Sequence, residues 1–248
     1  MEKEINKKKK HGFIKGILIT FTILVIAVVA LGYIFPGLVW TRNLGVRYTQ
    51  TDYNSIMDKL NYTKDATPTG DSADLYNYVY GEPTNVDTEF TSEELTAFFN
   101  ENRPSYYPLK NVQIKINEDG TIEVAAAANV DYFLNDVLGG KYTREQIQNE
   151  IPALGLLPDS VNIYLNFTGS VTNNISTIYI NSATVQGIEI PSNYINSSAA
   201  IGVIQSSLND FIIKLNTETG SNFESLTVQN GVIRFKGSVP SSLERIAK

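Results

Sequence analysis

No charged residue occurs between Gly16 and Thr41. The apolar run Gly16–Phe35 is long enough to cross a bilayer core, which takes about 20 helical residues. Lys3, Lys7, Lys8, Lys9, Lys10 and Lys15 crowd its N-terminal side and place that side in the cytoplasm. Tyr33, Phe35 and Trp40 stand where an outer aromatic belt lies, and Pro36 and Gly37 end or kink the helix there. The pattern predicts a basic cytoplasmic tail over 1–15, a transmembrane helix over 16–39, a juxtamembrane helix and linker over 40–90, and an extracytoplasmic domain over 91–248. A cleaved signal peptide with Val28-Val29-Ala30 at its site is the competing reading. The run exceeds the roughly 15 apolar residues of such segments, which favours a retained anchor in the plasma membrane.

Beyond the anchor, helical and alternating periods follow one another. Thr49 can cap a short helix, with Asp52 three residues on, whose Tyr53, Ile56, Met57 and Leu60 share a face. Residues 64–74 are turn-rich and expected to be exposed. Tyr76, Tyr78 and Tyr80 alternate along a short strand, either packing on a neighbour or offering an aromatic platform. Thr91-Ser92-Glu93-Glu94 is a capping box. Leu95, Phe98 and Phe99 follow on one face, and Arg103-Pro104 stops the helix. A hairpin is predicted over 111–130, turning at Glu118-Asp119-Gly120. Small residues Ala125 to Ala128 on its return strand allow a close approach by a helix or ligand.

Thr143 to Gln146 forms a second capping box, opening a short helix that Pro152 ends. Val161–Phe167 and Ile175–Ile180 alternate around Asn173-Asn174, and this hairpin is expected to run on through Val185 to Ile190. Pro191-Ser192 then starts the longest soluble helix, to about residue 216. Ile201, Ile204, Leu208, Phe211, Ile212 and Leu215 form its stripe, with Ser206, Asn209 and Lys214 turned away and Gly220 as its stop. Asn230-Gly231 joins the last two strands. A helix followed by a hairpin thus occurs twice, at 91–130 and 192–239. The fold class expected is α+β: antiparallel β-hairpins packed with a long amphipathic helix.

Chemistry is narrowed by what the chain lacks. It has no cysteine, and its single histidine, His11, precedes the anchor. Disulfides, thiolate nucleophiles, lipidated cysteine, Ser-His-Asp triads and His- or Cys-based metal sites are excluded from the outer part. No cofactor or metal ligand set is expected. Of the 20 basic and 26 acidic residues, six lysines and two glutamates precede the anchor, leaving 14 basic against 24 acidic outside. That field disfavours nucleic acid and anionic headgroups as electrostatic partners. Carboxylates such as Asp131 and Asp136 are the remaining catalytic groups. Without a motif pairing them across a cleft, a glycan hydrolase is disfavoured and no catalytic residue is assigned. The sequons at Asn61, Asn166, Asn174 and Asn196 are near chance in an Asn- and Ser-rich chain.

Gly187-Ile-Glu-Ile-Pro191, the long helix and Leu226-Thr-Val-Gln-Asn-Gly-Val-Ile-Arg-Phe-Lys-Gly237 together resemble membrane-anchored envelope proteins of Gram-positive bacteria, the YpmS-like group. They are also similar to LmeA-like tubular lipid-binding domains, over roughly 91–240. The resemblance implies a helix wrapped by a curved sheet around an apolar channel, and carries over no functional residue. The ligand contacts expected are Ile188, Ile190, Tyr194, Ile201, Ile204, Leu208, Phe211 and Ile212, for a lipid or lipid-linked envelope component. The alternative is an envelope interaction protein using its surface, with the tyrosines at 76–80 as one candidate.

Overall fold

The computed structural model describes residues 41–64, 75–101, 107–130 and 159–248. The expected anchor, the loop 65–74, Asp131, Asp136 and the helix expected after Thr143 lie outside the described residues. Among the described residues no helix is long and apolar enough to cross a membrane.

The architecture is α+β, and among the described residues the strands pair antiparallel except β1 (Thr63–Lys64) with β11 (Ser242–Ala247). The centre is β6 (Ser160–Thr172), and the sheet forks on it. Its first half pairs with β5 (Ile122–Asn129), which pairs in turn with β4 (Leu109–Ile116). At Val171 and Thr172 the same edge passes to β9 (Asn222–Gln229), followed outward by β10 (Val232–Pro240) and β3 (Pro83–Phe90). The other edge carries β7 (Ile175–Val185). The two arms of the fork share one core. Val112, Ile114, Ile116, Ile122 and Ala126 of one arm meet Ile233, Leu226 and Val228 of the other.

Each expected hairpin forms, with turns suited to its sequence. Asn173-Asn174 and Asn230-Gly231 both adopt positive φ at both positions, the primed geometry that matches strand twist. Gly237 sits at a register shift between β10 and β9. A Cβ there would lie 2.0 Å from the Asn222 carbonyl oxygen, so only glycine fits. One expectation fails: the strand does not run on from Val185 to Ile190. Gln186 and Gly187, at φ 52° and 78°, turn the chain back into β8 (Ile188–Glu189), which pairs with β7.

Helix α1 (Gln50–Leu60) buries Tyr53 and Ile56, and Asp52 accepts from the Thr49 N–H and hydroxyl. Helix α2 (Ser92–Asn100) begins at the expected capping box: Glu94 N–H donates to Thr91 Oγ1 and Thr91 N–H to the Glu94 carboxylate. That carboxylate is nearly buried and joins the two helices, accepting from Ser55 Oγ at 2.5 Å and Lys59 Nζ at 2.6 Å. Burial opposes its ionisation. The donors from Lys59, Ser55 and Thr91 outweigh that and hold its pKa below the usual carboxylate value.

The other face of α2 covers the edge of β4. Ser92 accepts from Ile116 N–H, Thr96 bonds both Ile114 N–H and carbonyl, and Asn100 bonds both groups of Val112. Four helical residues rise about 6 Å and two strand residues about 6.7 Å, so every fourth helix side chain meets every second strand peptide. A row of backbone groups that would otherwise pair with another chain is thereby closed.

The division expected at residue 91 falls inside one packed unit. Val86 and Phe90 of β3 share a cluster with Ile56 of α1 and Phe235 of β10. β2 (Tyr76–Tyr80) and β11, which continue β3 and β10 past a bend, form a three-stranded sheet with β1.

Candidate functional site

The helix expected at 192–216 is two helices: α3 (Ser192–Ile195), a break at Asn196-Ser197, and α4 (Ser198–Thr219). Gly220 terminates α4 at φ +69°, as its position suggested. The main partner of α4 is β7, and the contact is polar. Ser176 N–H and Oγ donate to Asn209 Oδ1 at 2.9 and 2.8 Å, and Gln205 Nε2 donates to the Ser176 carbonyl and hydroxyl. Gln205, Asn209 and Ile212 share that face, and Ile212 is buried. Asn209 lies off the apolar row, as its spacing predicts, and it is this polar face that meets β7.

At about 100° per residue, Ile204, Leu208, Phe211 and Leu215 form a second row about a quarter-turn away. Ile204, Leu208 and Leu215 are half-buried, and Phe211 is 57% exposed. Among the described residues, neither core cluster contains a residue of α4. The stripe is therefore present, but the helix is rotated so that polar side chains hold it to the sheet and the apolar row is left incompletely covered. Ile201 is half-buried between the two rows. Ile190 is half-buried, its N–H bonded to the Ala183 carbonyl; Ile188 opens β8 and Tyr194 lies in α3.

A second arrangement lies on the outer face of β4–β5–β6. The chain enters at Thr41, whose hydroxyl donates to Asn162 Oδ1 at 2.8 Å. Arg42 stacks its guanidinium 3.9 Å from the centre of the Tyr164 ring. Leu44 N–H donates to Gln113 Oε1 at 2.8 Å. Tyr164, Ala125 and Gln113 are one row of paired residues across the three strands. Ala125 is wholly buried, so the small residue marks the line along which the entering chain crosses the sheet. Tyr164 Oη donates to Glu123, which Asn117 and Lys115 also approach. Burial and the Glu123 carboxylate raise the Tyr164 pKa. Glu123 itself is lowered: its donors, Tyr164 first, outweigh burial. No pattern of charge or period in the sequence marked this cluster, because its members are far apart in the chain.

The sheet β1–β11–β2 is exposed on both faces: Leu75, Tyr78, Val79, Tyr80 and Ile246 all show large apolar surface. Burial and Glu218 of α4 raise the Tyr80 pKa, with Arg245 opposing, which sets this sheet beside the C-terminal end of α4. A depression of about 260 Å³ lined by Asn85, Val86, Asp87, Glu224, Lys236 and Gly237 is open and polar, unsuited to an acyl chain. Among the described residues no three His, Asp or Glu side chains gather as a metal site. No protein-family model, curated protein or solved structure matches the chain.

Proposed function

We propose that the chain is a membrane-anchored extracytoplasmic protein that binds an amphiphilic envelope component, a lipid or lipid-linked precursor, along α4. The observation that carries this is the apolar row Ile204–Leu208–Phe211–Leu215, left incompletely covered on a helix that polar side chains fasten to β7. An apolar row beside a strand, outside both packed clusters, is the kind of surface an acyl chain completes. The anchor expected at 16–39 supports the reading by keeping the domain beside its ligand.

Photocrosslinking of the full chain in vesicles containing a diazirine phospholipid tests it. Adducts on the peptide spanning 204–215, reduced several-fold by Leu208→Ser with Phe211→Ser, are expected. Adducts confined to residues 16–39 would remove the binding reading while leaving the anchor.

A second reading, an interaction protein of the envelope, is favoured by the two-faced exposure of β2 and β11. In membranes, crosslinking through a photoreactive residue at Tyr78 that captures no protein speaks against it.

A further inference from the structure

We infer that the end of the fold formed by the β7–β8 turn and α3 rests on the bilayer surface, with the segment Thr41–Leu44 fixing the domain in that pose. This rests on the proposed reading of 16–39 as a retained anchor.

The chain available between anchor and fold is very short. Only Trp40 lies between position 39 and Thr41, and the two Cα–Cα steps span at most about 7 Å. Thr41 is already bonded to Asn162, near the start of β6. Arg42 and Leu44 add two further attachments, the first on β6 and the second on β4. Three contacts within four residues, to Asn162, Tyr164 and Gln113, oppose both tilt and rotation of the domain about its tether. A linker that hung free would permit any orientation. This one ties a particular corner to the membrane interface.

Asn162 also identifies what lies at that corner. Gln186 N–H donates to its carbonyl at 2.7 Å, and its amide bonds Gln186 Oε1 at 3.2 Å. Gln186-Gly187 is the β7–β8 turn, and Pro191, Ser192 and Asn193 follow it as exposed residues. Between Val185 and Asn196 the only charged residue is Glu189. Among the described residues this end carries Glu189, Asp159 and Lys110 as its charges, a small net charge beside an outer part that is strongly acidic overall. It is suited to neutral headgroups by hydrogen bonding and largely free of repulsion from anionic ones. The turn at Glu118–Gly120 lies at the opposite end of β4–β5 from the strand ends that meet Asn162, and Asn173-Asn174 closes the opposite end of β6–β7. The pose also sets the N-terminal end of α4, just after α3, toward the bilayer, with Ile201 nearer the lipid than Phe211.

The natural absence of cysteine makes the test direct. The full chain is placed in phosphatidylcholine vesicles with a bimane label at Asn193→Cys, and separately at Ser192→Cys and Glu118→Cys, all exposed positions. Lipids bearing a headgroup quencher should quench the labels at 192 and 193 at least threefold more than the label at 118. Thr41→Ala combined with Arg42→Ala should shrink that ratio. Equal quenching at the two ends, in protein that sediments with the vesicles, overturns the inference and leaves the anchor standing. Protein that stays in the supernatant overturns the anchor and the inference together.

Discussion

The chain contains two helix–hairpin units that share an order of elements and are used differently. In the first, α2 lies against the edge of the hairpin that follows it, β4–β5, and its apolar residues Leu95, Phe98 and Phe99 join the core clusters. In the second, α4 turns instead to β7, and its apolar row joins neither cluster. Both helices fasten to a strand through polar side chains, Ser92–Thr96–Asn100 in one and Gln205–Asn209 in the other. In α2 the central one of these residues, Thr96, is almost wholly buried. In α4 they are the main attachment. The same local design yields a structural element where apolar surface is covered around it, and a candidate binding element where it is not.

The largest effects belong to the first unit. Glu94→Ala removes the capping box and the partner of Lys59 and Ser55, and is expected to cost about 4 kcal/mol in urea unfolding. Thr96→Val leaves both backbone groups of Ile114 buried and unpaired, for about 3 kcal/mol. In the second unit Ile212→Ala should cost about 2 kcal/mol, and Asn209→Ala about 1 kcal/mol because its site is only partly buried. The smallest stability effect is expected of Phe211→Ser, within about 0.5 kcal/mol, while lipid crosslinking falls several-fold. A loss above 2 kcal/mol there would make Phe211 a core residue and erase the contrast between the helices.

The contrast extends to pH. Because the Glu94 pKa is lowered in the fold, its contribution is fully present above the unfolded value of about 4.5 and is lost as pH falls through the lower folded value. Unfolding of the native chain should become easier with acid across that window, and Glu94→Gln should flatten the dependence. A Glu94→Gln slope as steep as the native one would assign the acid sensitivity to other carboxylates.

Much of this was legible in the chain. Thr91 and Glu94 announced α2, and Asn230-Gly231 and Asn173-Asn174 announced their turns, because each is a local device that needs no distant partner. β3 was missed: Pro83 to Phe90 buries only Val86 and Phe90, so its alternation is too sparse to see. β11 was missed because Ser242-Leu-Glu-Arg-Ile-Ala247 has no strand composition and is held by pairing with β2 and β1. The rotation of α4 was not legible either. Apolar period predicts which residues would gain from burial, whereas here Ser176, in contact with Gln205 and Asn209, selects the face that meets the sheet. The crossing of Thr41–Leu44 over Ala125 likewise depends on residues brought together only by the fold.

Hydrogen exchange on the full chain, held in amphipol and then supplied with phospholipid, tests the difference between the two helices most directly. The amides of α2 should exchange slowly and be indifferent to lipid, while those of 204–215 exchange faster and slow at least tenfold when lipid is added. Equal protection of both helices before lipid, with no change after it, would contradict the account and make α4 an ordinary part of the core.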